Sequence, residues 1–206
     1  MYTRPCSHCL LTRLTTFCGC TLLGLANVSC DRGSVQHSYS DAISTLNAAK
    51  DEYSRWCALN AAAKESFNSQ HYADARRYAG ELEKLAPKYR NDWNYGNAVQ
   101  DFNIVLGRLA LKSGDIAAAK DRLLAAGHSP GSAQMDSFGP NVALAKELLG
   151  RGEKEVVLQY LELCRSFWAK HPETDPLDKR HGETLDHWKS DIEKGQTPDF
   201  GANLGY

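Results

Sequence analysis

Apolar residues along the body of the chain recur every three or four positions, the spacing that gathers side chains on one face of a helix. Ile43, Leu46, Tyr53, Trp56, Ala63 and Phe67 follow it and predict one long helix from Asp41 that stops near Gln70. A second helix starts around His71–Ala75, carries Tyr78, Ala79, Leu82 and Leu85, and ends at Pro87, since proline cannot continue a helix. The pattern then returns. Asp92 is placed to cap a helix running to Lys112 with Val99, Phe102, Leu106 and Leu109 on one face, and Ser113-Gly114 turns the chain. Asp115 opens the next helix, with Ile116, Ala119, Leu123 and Ala126 inward and Gly127 closing it. After a loop rich in Ser and Gly, Pro140 begins a third pair, with Leu144, Leu148 and Leu149 before the Arg151-Gly152 turn. Val156, Val157, Tyr160, Leu161, Cys164, Phe167 and Trp168 follow it, ahead of Pro172. A last helical segment, Leu177–Lys194, carries Leu185, Trp188 and Ile192. The tail holding Phe200, Leu204 and Tyr206 has no helical period and either docks back as an extended strand, the favoured expectation, or frays.

These residues give an all-α fold of antiparallel hairpins. They also resemble the tetratricopeptide motif, in which a small residue of one helix meets a small residue of the next. The matching pairs are Ala63 with Ala75, Gly107 with Ala119 and, less closely, Ala145 with Val157. Gly114 and Gly152 stand at the motif's turn glycine, Gln70 departs from it, and Pro87 stands at its closing proline. Copies begin near Trp56, Gln100 and Phe138, 44 and 38 residues apart, longer than the motif's roughly 34. The resemblance covers about half the chain. It implies a short right-handed α-solenoid of three hairpins over residues 41–195, capped by the C-terminal helix, with residues 196–206 as an irregular tail.

Composition fits a globular body: of 206 residues, 42% are apolar and 24% charged, for a formal net charge of −1. Without residues 1–29 the balance is 22 basic against 25 acidic side chains, which lacks the basic footprint of a nucleic-acid binder. Five of the seven cysteines lie in the first thirty residues. There, Arg4 and Arg13 precede an uncharged apolar run, the order of a secretory signal. Leu25-Ala26-Asn27-Val28-Ser29-Cys30 resembles a bacterial lipobox, which implies lipidation at Cys30 and a body anchored in the cell envelope, with residues 31–40 as a polar tether; Asn27 departs from the usual aliphatic residue. Cys6, Cys9, Cys18 and Cys20 pose the alternative of a zinc knuckle. In the body, Cys57 and Cys164 fall on distant helices and are expected to be buried thiols.

The resemblance further implies that the first helix of each hairpin lines a concave surface where peptides are held. The residues after the small packing positions, Lys64, Arg108 and Lys146, then form a basic stripe with Asn60, Asn68 and Lys112 as added donors, suited to an acidic protein or peptide partner. This function is binding, with no cofactor. A structural, self-associating envelope protein is the alternative. Enzymatic chemistry would have to use His171, Asp175, Asp178, His181, Glu183, Asp186 and His187, which match no known metal-ligand spacing. The loop Gly127–Ser132 lacks the lysine of a phosphate loop and reads as a connector.

Overall fold

A computed structural model describes residues 31–205, with side chains from Ser38 onward. Nine α-helices occur among the described residues: α1 (Asp31–Ala48), α2 (Glu52–Asn68), α3 (Tyr72–Leu85), α4 (Tyr95–Lys112), α5 (Ile116–Gly127), α6 (Ala133–Phe138), α7 (Ala143–Leu149), α8 (Lys154–Trp168) and α9 (Pro176–Glu193). A 3-10 turn over Gly201–Leu204 ends the described chain. The all-α expectation holds, and several boundaries differ for local reasons.

The long helix expected from Asp41 to Gln70 is two helices. Asp51 adopts an extended backbone, its carboxylate accepts from the Ser54 amide at 2.7 Å, and the Ser54 hydroxyl accepts from the Asp51 amide. This reciprocal cap satisfies two donors at a helix start and so restarts the chain in a new direction. Residues 31–40, expected as a tether, are the opening turns of α1, and Tyr39 stacks on the His71 ring at 4.2 Å. Asp92 does not cap α4, which begins at Tyr95. Instead its carboxylate accepts from Trp56 Nε1 at 3.2 Å, the Tyr53 hydroxyl at 3.1 Å and the Asn94 amide at 2.9 Å. Within the supposed connector, Ser132 caps the short α6 by accepting from the Met135 amide at 3.0 Å, and Met135 is buried.

Consecutive helices pack from α1 through α5, α5 then meets α8, and α8 meets α7 and α9. The first helices of the expected hairpins, α2, α4 and α7, also pack against one another in that order. Close packing explains the small residues. Ala63, Ala75, Ala119, Ala145 and Val157 have no exposed surface. A methyl group on Gly107 would sit 2.3 Å from Leu144 Cδ2 and 3.0 Å from Arg122 Cβ, so its absence lets α5 and α7 both approach α4. Two apolar cores result. One joins Leu46, Trp56, Leu59, Tyr78 and Leu82 to Phe102, Val105 and Leu109; the other joins Ile104 and Leu111 to Leu144, Tyr160, Phe167, Leu185 and Trp188.

The tail docks as a turn and not as an extended strand. Phe200 is buried against Trp188, whose Nε1 donates to the Asp199 carbonyl at 3.1 Å. Asn203 accepts from the Val142 amide at 2.9 Å and donates to the Phe138 and Pro140 carbonyls at 2.8 and 3.0 Å.

Four helix ends, those of α2, α4, α7 and α9, close with the same bonds. Gln70, Gly114, Gly152 and Gly195 have φ of 65°, 87°, 82° and 79°. The amide of each bonds the carbonyl three residues back, and the next amide bonds the carbonyl five residues back. This is the left-handed helix ending that glycine enters without steric cost. At Gln70 a side chain bears the cost of about 1–2 kcal/mol. Replacing Gln70 by Gly is expected to raise stability by about 1 kcal/mol, read as a higher urea midpoint at unchanged m-value.

Candidate functional site

Because α2, α4 and α7 lie side by side, their C-terminal ends converge on one cleft of about 590 Å³. Phe67, Asn68 and Gln70 come from the end of α2, Arg108 and Lys112 from α4, and Glu147 and Arg151 from α7 and its following turn. Tyr72 opens α3 at the same place. One wall is a ladder of cations and rings: the Arg108 guanidinium lies 4.1 Å above the Phe67 ring, Phe67 meets Tyr72 edge-on at 5.4 Å, and Lys112 Nζ lies 4.6 Å above Tyr72. Cation–π attraction of this kind holds flexible basic side chains in fixed positions. Three cations face one carboxylate in the lining, so the cleft carries a net +2.

A second cavity of about 270 Å³ adjoins it, with Lys64, Glu65 and Ile104 on the walls and Leu204 and Gly205 of the docked tail at its edge. Asn68 and Arg108 line both cavities. Arg108 is held by Glu147, with Nη2 2.7 Å from Oε1.

Four of the six residues expected to bind a partner are therefore brought together: Lys64, Asn68, Arg108 and Lys112. Lys146 is exposed on α7 and lines neither cavity. Asn60 turns inward, donating to Asp101 Oδ2 at 2.8 Å and accepting from Asn94 Nδ2 at 2.8 Å. Lys64 Nζ lies 3.2 Å from the same Asp101 oxygen, so this lysine is already paired.

Asp101 belongs to a polar seam along the inner face of α4. Asn97 donates to Asn94 Oδ1 and Gln134 Oε1, both at 3.2 Å, and accepts from the Ser132 hydroxyl at 2.6 Å. Gln100 accepts from the Asn141 amide at 2.8 Å, and the Tyr160 hydroxyl donates to the Asn141 carbonyl at 2.7 Å. Buried polar groups of this sort are tolerated because they are mutually bonded. The signal was present in the sequence as Asn97, Gln100 and Asp101 at helical spacing inside an otherwise apolar helix. Gln70, Tyr72 and Arg151 carried no such signal.

Of the acidic and histidine residues that an enzyme would need, His171 and Asp175 precede α9 and the other five lie on it, with separate partners for most of them. Asp175 caps α9 by accepting from the Leu177 amide at 2.7 Å, and Asp178 accepts from the His171 amide at 2.7 Å. His181 is buried, stacked on Trp168 at 4.6 Å with Nδ1 2.9 Å from the Trp168 carbonyl. Asp186 pairs with Arg165 at 2.6 Å, and His187 faces Asp191 at 3.4 Å. Glu183 is exposed on α9. Among the described residues no group of three or more such side chains is placed to hold a metal ion. Cys6, Cys9, Cys18, Cys20 and the lipidation candidate Cys30 lie outside the described residues. No described helix is long and apolar enough to cross a membrane.

Cys57 and Cys164 are free thiols, Cys57 only partly buried and Cys164 fully so. Burial pushes both thiols above their usual range, Cys164 far above it.

No known family, curated protein or solved structure matches the chain.

Two outcomes follow from this geometry. Asp101→Ala leaves Lys64 and Asn60 without their acceptor and is expected to cost about 2–3 kcal/mol, measured by chemical denaturation. Cys164 in the native protein is expected to resist a disulfide reagent at pH 8 and to react fully once urea unfolds the chain; peptide mapping of the labelled sites checks this.

Proposed function

We propose that this chain is a non-catalytic scaffold that holds an acidic segment of a partner protein in the cleft between the ends of α2, α4 and α7. The observation that carries the reading is the cleft's cation–aromatic ladder with its net +2 lining, on a body that is otherwise slightly acidic. Carboxylates are drawn to such a surface, and the rings supply apolar area beside the charge.

The architecture proposed is a short right-handed solenoid of three tetratricopeptide-like hairpins with α9 as the cap. Its support is the spacing of the turns at 70, 114 and 152, which lie 44 and 38 residues apart like the copies expected from sequence; the same turn geometry also ends α9 at Gly195. The serial packing of α2, α4 and α7 adds to it. Location in a bacterial envelope, through lipidation of Cys30, is proposed on the sequence of residues 1–30 alone. A mass measurement on the mature amino terminus tests it.

An amidated hexaglutamate peptide, with hexalysine as the control, tests the binding reading. The double variant Lys112→Glu with Arg151→Glu reverses two exposed charges without touching the cores. Hexaglutamate affinity is expected to fall by at least about tenfold, while the variant still unfolds in one cooperative transition with a stability loss of no more than about 1–2 kcal/mol from the change at the end of α4. Equal affinity of wild type and variant overturns the reading.

A further inference from the structure

Arg108 stands on the partition between the two cavities, and the way it is held differs from comparable pairs in the same molecule. Its Nε and Nη2 both point at one oxygen of Glu147, Oε1, at 2.9 and 2.7 Å. Arg55 engages both oxygens of Glu81, through Nε to Oε1 and through Nη2 to Oε2 at 2.7 Å. Arg122 likewise reaches both oxygens of Glu83, at 2.5 and 3.5 Å. A guanidinium binds a carboxylate best through two parallel bonds to two oxygens, so the Arg108 arrangement leaves attraction unused. Phe67, stacked 4.1 Å below, fixes the plane of the guanidinium whichever carboxylate it holds. The Glu147 side chain is 38% exposed, so water can solvate it once it is released.

We infer that Glu147 is a built-in stand-in for the partner's carboxylate, a latch that an arriving acidic residue displaces by forming the two-oxygen fork with Arg108. Asn68 and Arg108 line both cavities, so a carboxylate seated on Arg108 in place of Glu147 lies where an extended segment can run from the Lys112 and Arg151 end toward Lys64 and the docked tail. Glu147 thereby sets specificity. A ligand without a carboxylate at this position has nothing to exchange for it, and Glu147 stays on Arg108. This inference rests on the acidic-segment reading above.

The test measures fluorescein-labelled hexaglutamate binding to the full chain by anisotropy, comparing wild type with Glu147→Gln, Glu65→Gln, and Arg108→Lys with and without Glu147→Gln. Glu65 lines the second cavity and offers an equal charge removal away from the latch. Glu147→Gln is expected to tighten binding roughly three- to fivefold, with Glu65→Gln giving under about twofold. In the Arg108→Lys background the extra gain from Glu147→Gln disappears, because an ammonium cannot form the fork. Equal gains from Glu147→Gln and Glu65→Gln, or a full gain retained with Lys at 108, overturn the latch. If Glu147→Gln changes nothing while the Lys112 and Arg151 reversal abolishes binding, the latch falls and the acidic-segment reading stands. Absence of hexaglutamate binding by wild type and Glu147→Gln alike overturns both.

Discussion

Burying the Asp101 carboxylate in the middle of α4 sets the terms on which the surrounding helices come together. Only 6% of the residue remains exposed, and a charge in that position is sustained by partners that must all arrive in register. Lys64 and Asn60 reach it from α2, one turn apart, which fixes the rotation and the level of α2 against α4. Asn60 then hands its own oxygen to Asn94, Asn94 accepts from Asn97, and Asn97 meets Ser132 and Gln134 at the start of α6. A purely apolar interface slides at small cost; this one has discrete donors and acceptors that match in one alignment only. The cleft inherits that alignment, because Phe67 and Asn68 lie one turn beyond Lys64, and Arg108 and Lys112 lie two to three turns beyond Asp101.

The legible part of the fold was its apolar half. Faces formed by Tyr78, Leu82, Leu123, Tyr160, Leu161, Leu185 and Trp188 are buried as their spacing implied. Where the sequence misled, short-range hydrogen bonding overrode periodicity. Asp51 and Ser54 split one apolar stripe into two helices, and Ser132 started a helix in a stretch whose glycine and proline suggested a loop. Asp92 had the chemistry of a cap and three better donors waiting on a neighbouring turn and on α2. The site was legible in its cations and not in their partners. Position on a helix identified Lys64 and Arg108 as groove-facing, yet Asp101 and Glu147, which claim them, are separated from them by about forty residues and meet them only through tertiary packing. Lys146 had the same register as those two, but on α7 it is the next residue, Glu147, that lines the cavity, and Lys146 lines neither.

Basic residues gather at the cleft for two compatible reasons. Carbonyls at the ends of α2, α4 and α7 leave partial negative charge there, and Lys112 in the last turn of α4 offsets it. What remains after this local neutralisation is a set of cations braced against rings, with one guanidinium committed to a carboxylate in a poor geometry. The side chains that brace the cleft in the free protein are thus the ones an acidic segment would meet under the proposed function, and holding them in place is part of folding itself.

The division of α4 between two cores bears on how the chain is made. One core is complete once Leu109 has been synthesised, whereas the other needs Phe200, which seals Trp188. When the chain emerges from its amino-terminal end, the first half can therefore settle while its partner surface on α4, including Ile104 and Leu111, still faces water. A product cut short before Phe200 would keep that apolar face open, since Trp188 would lack the ring that covers it.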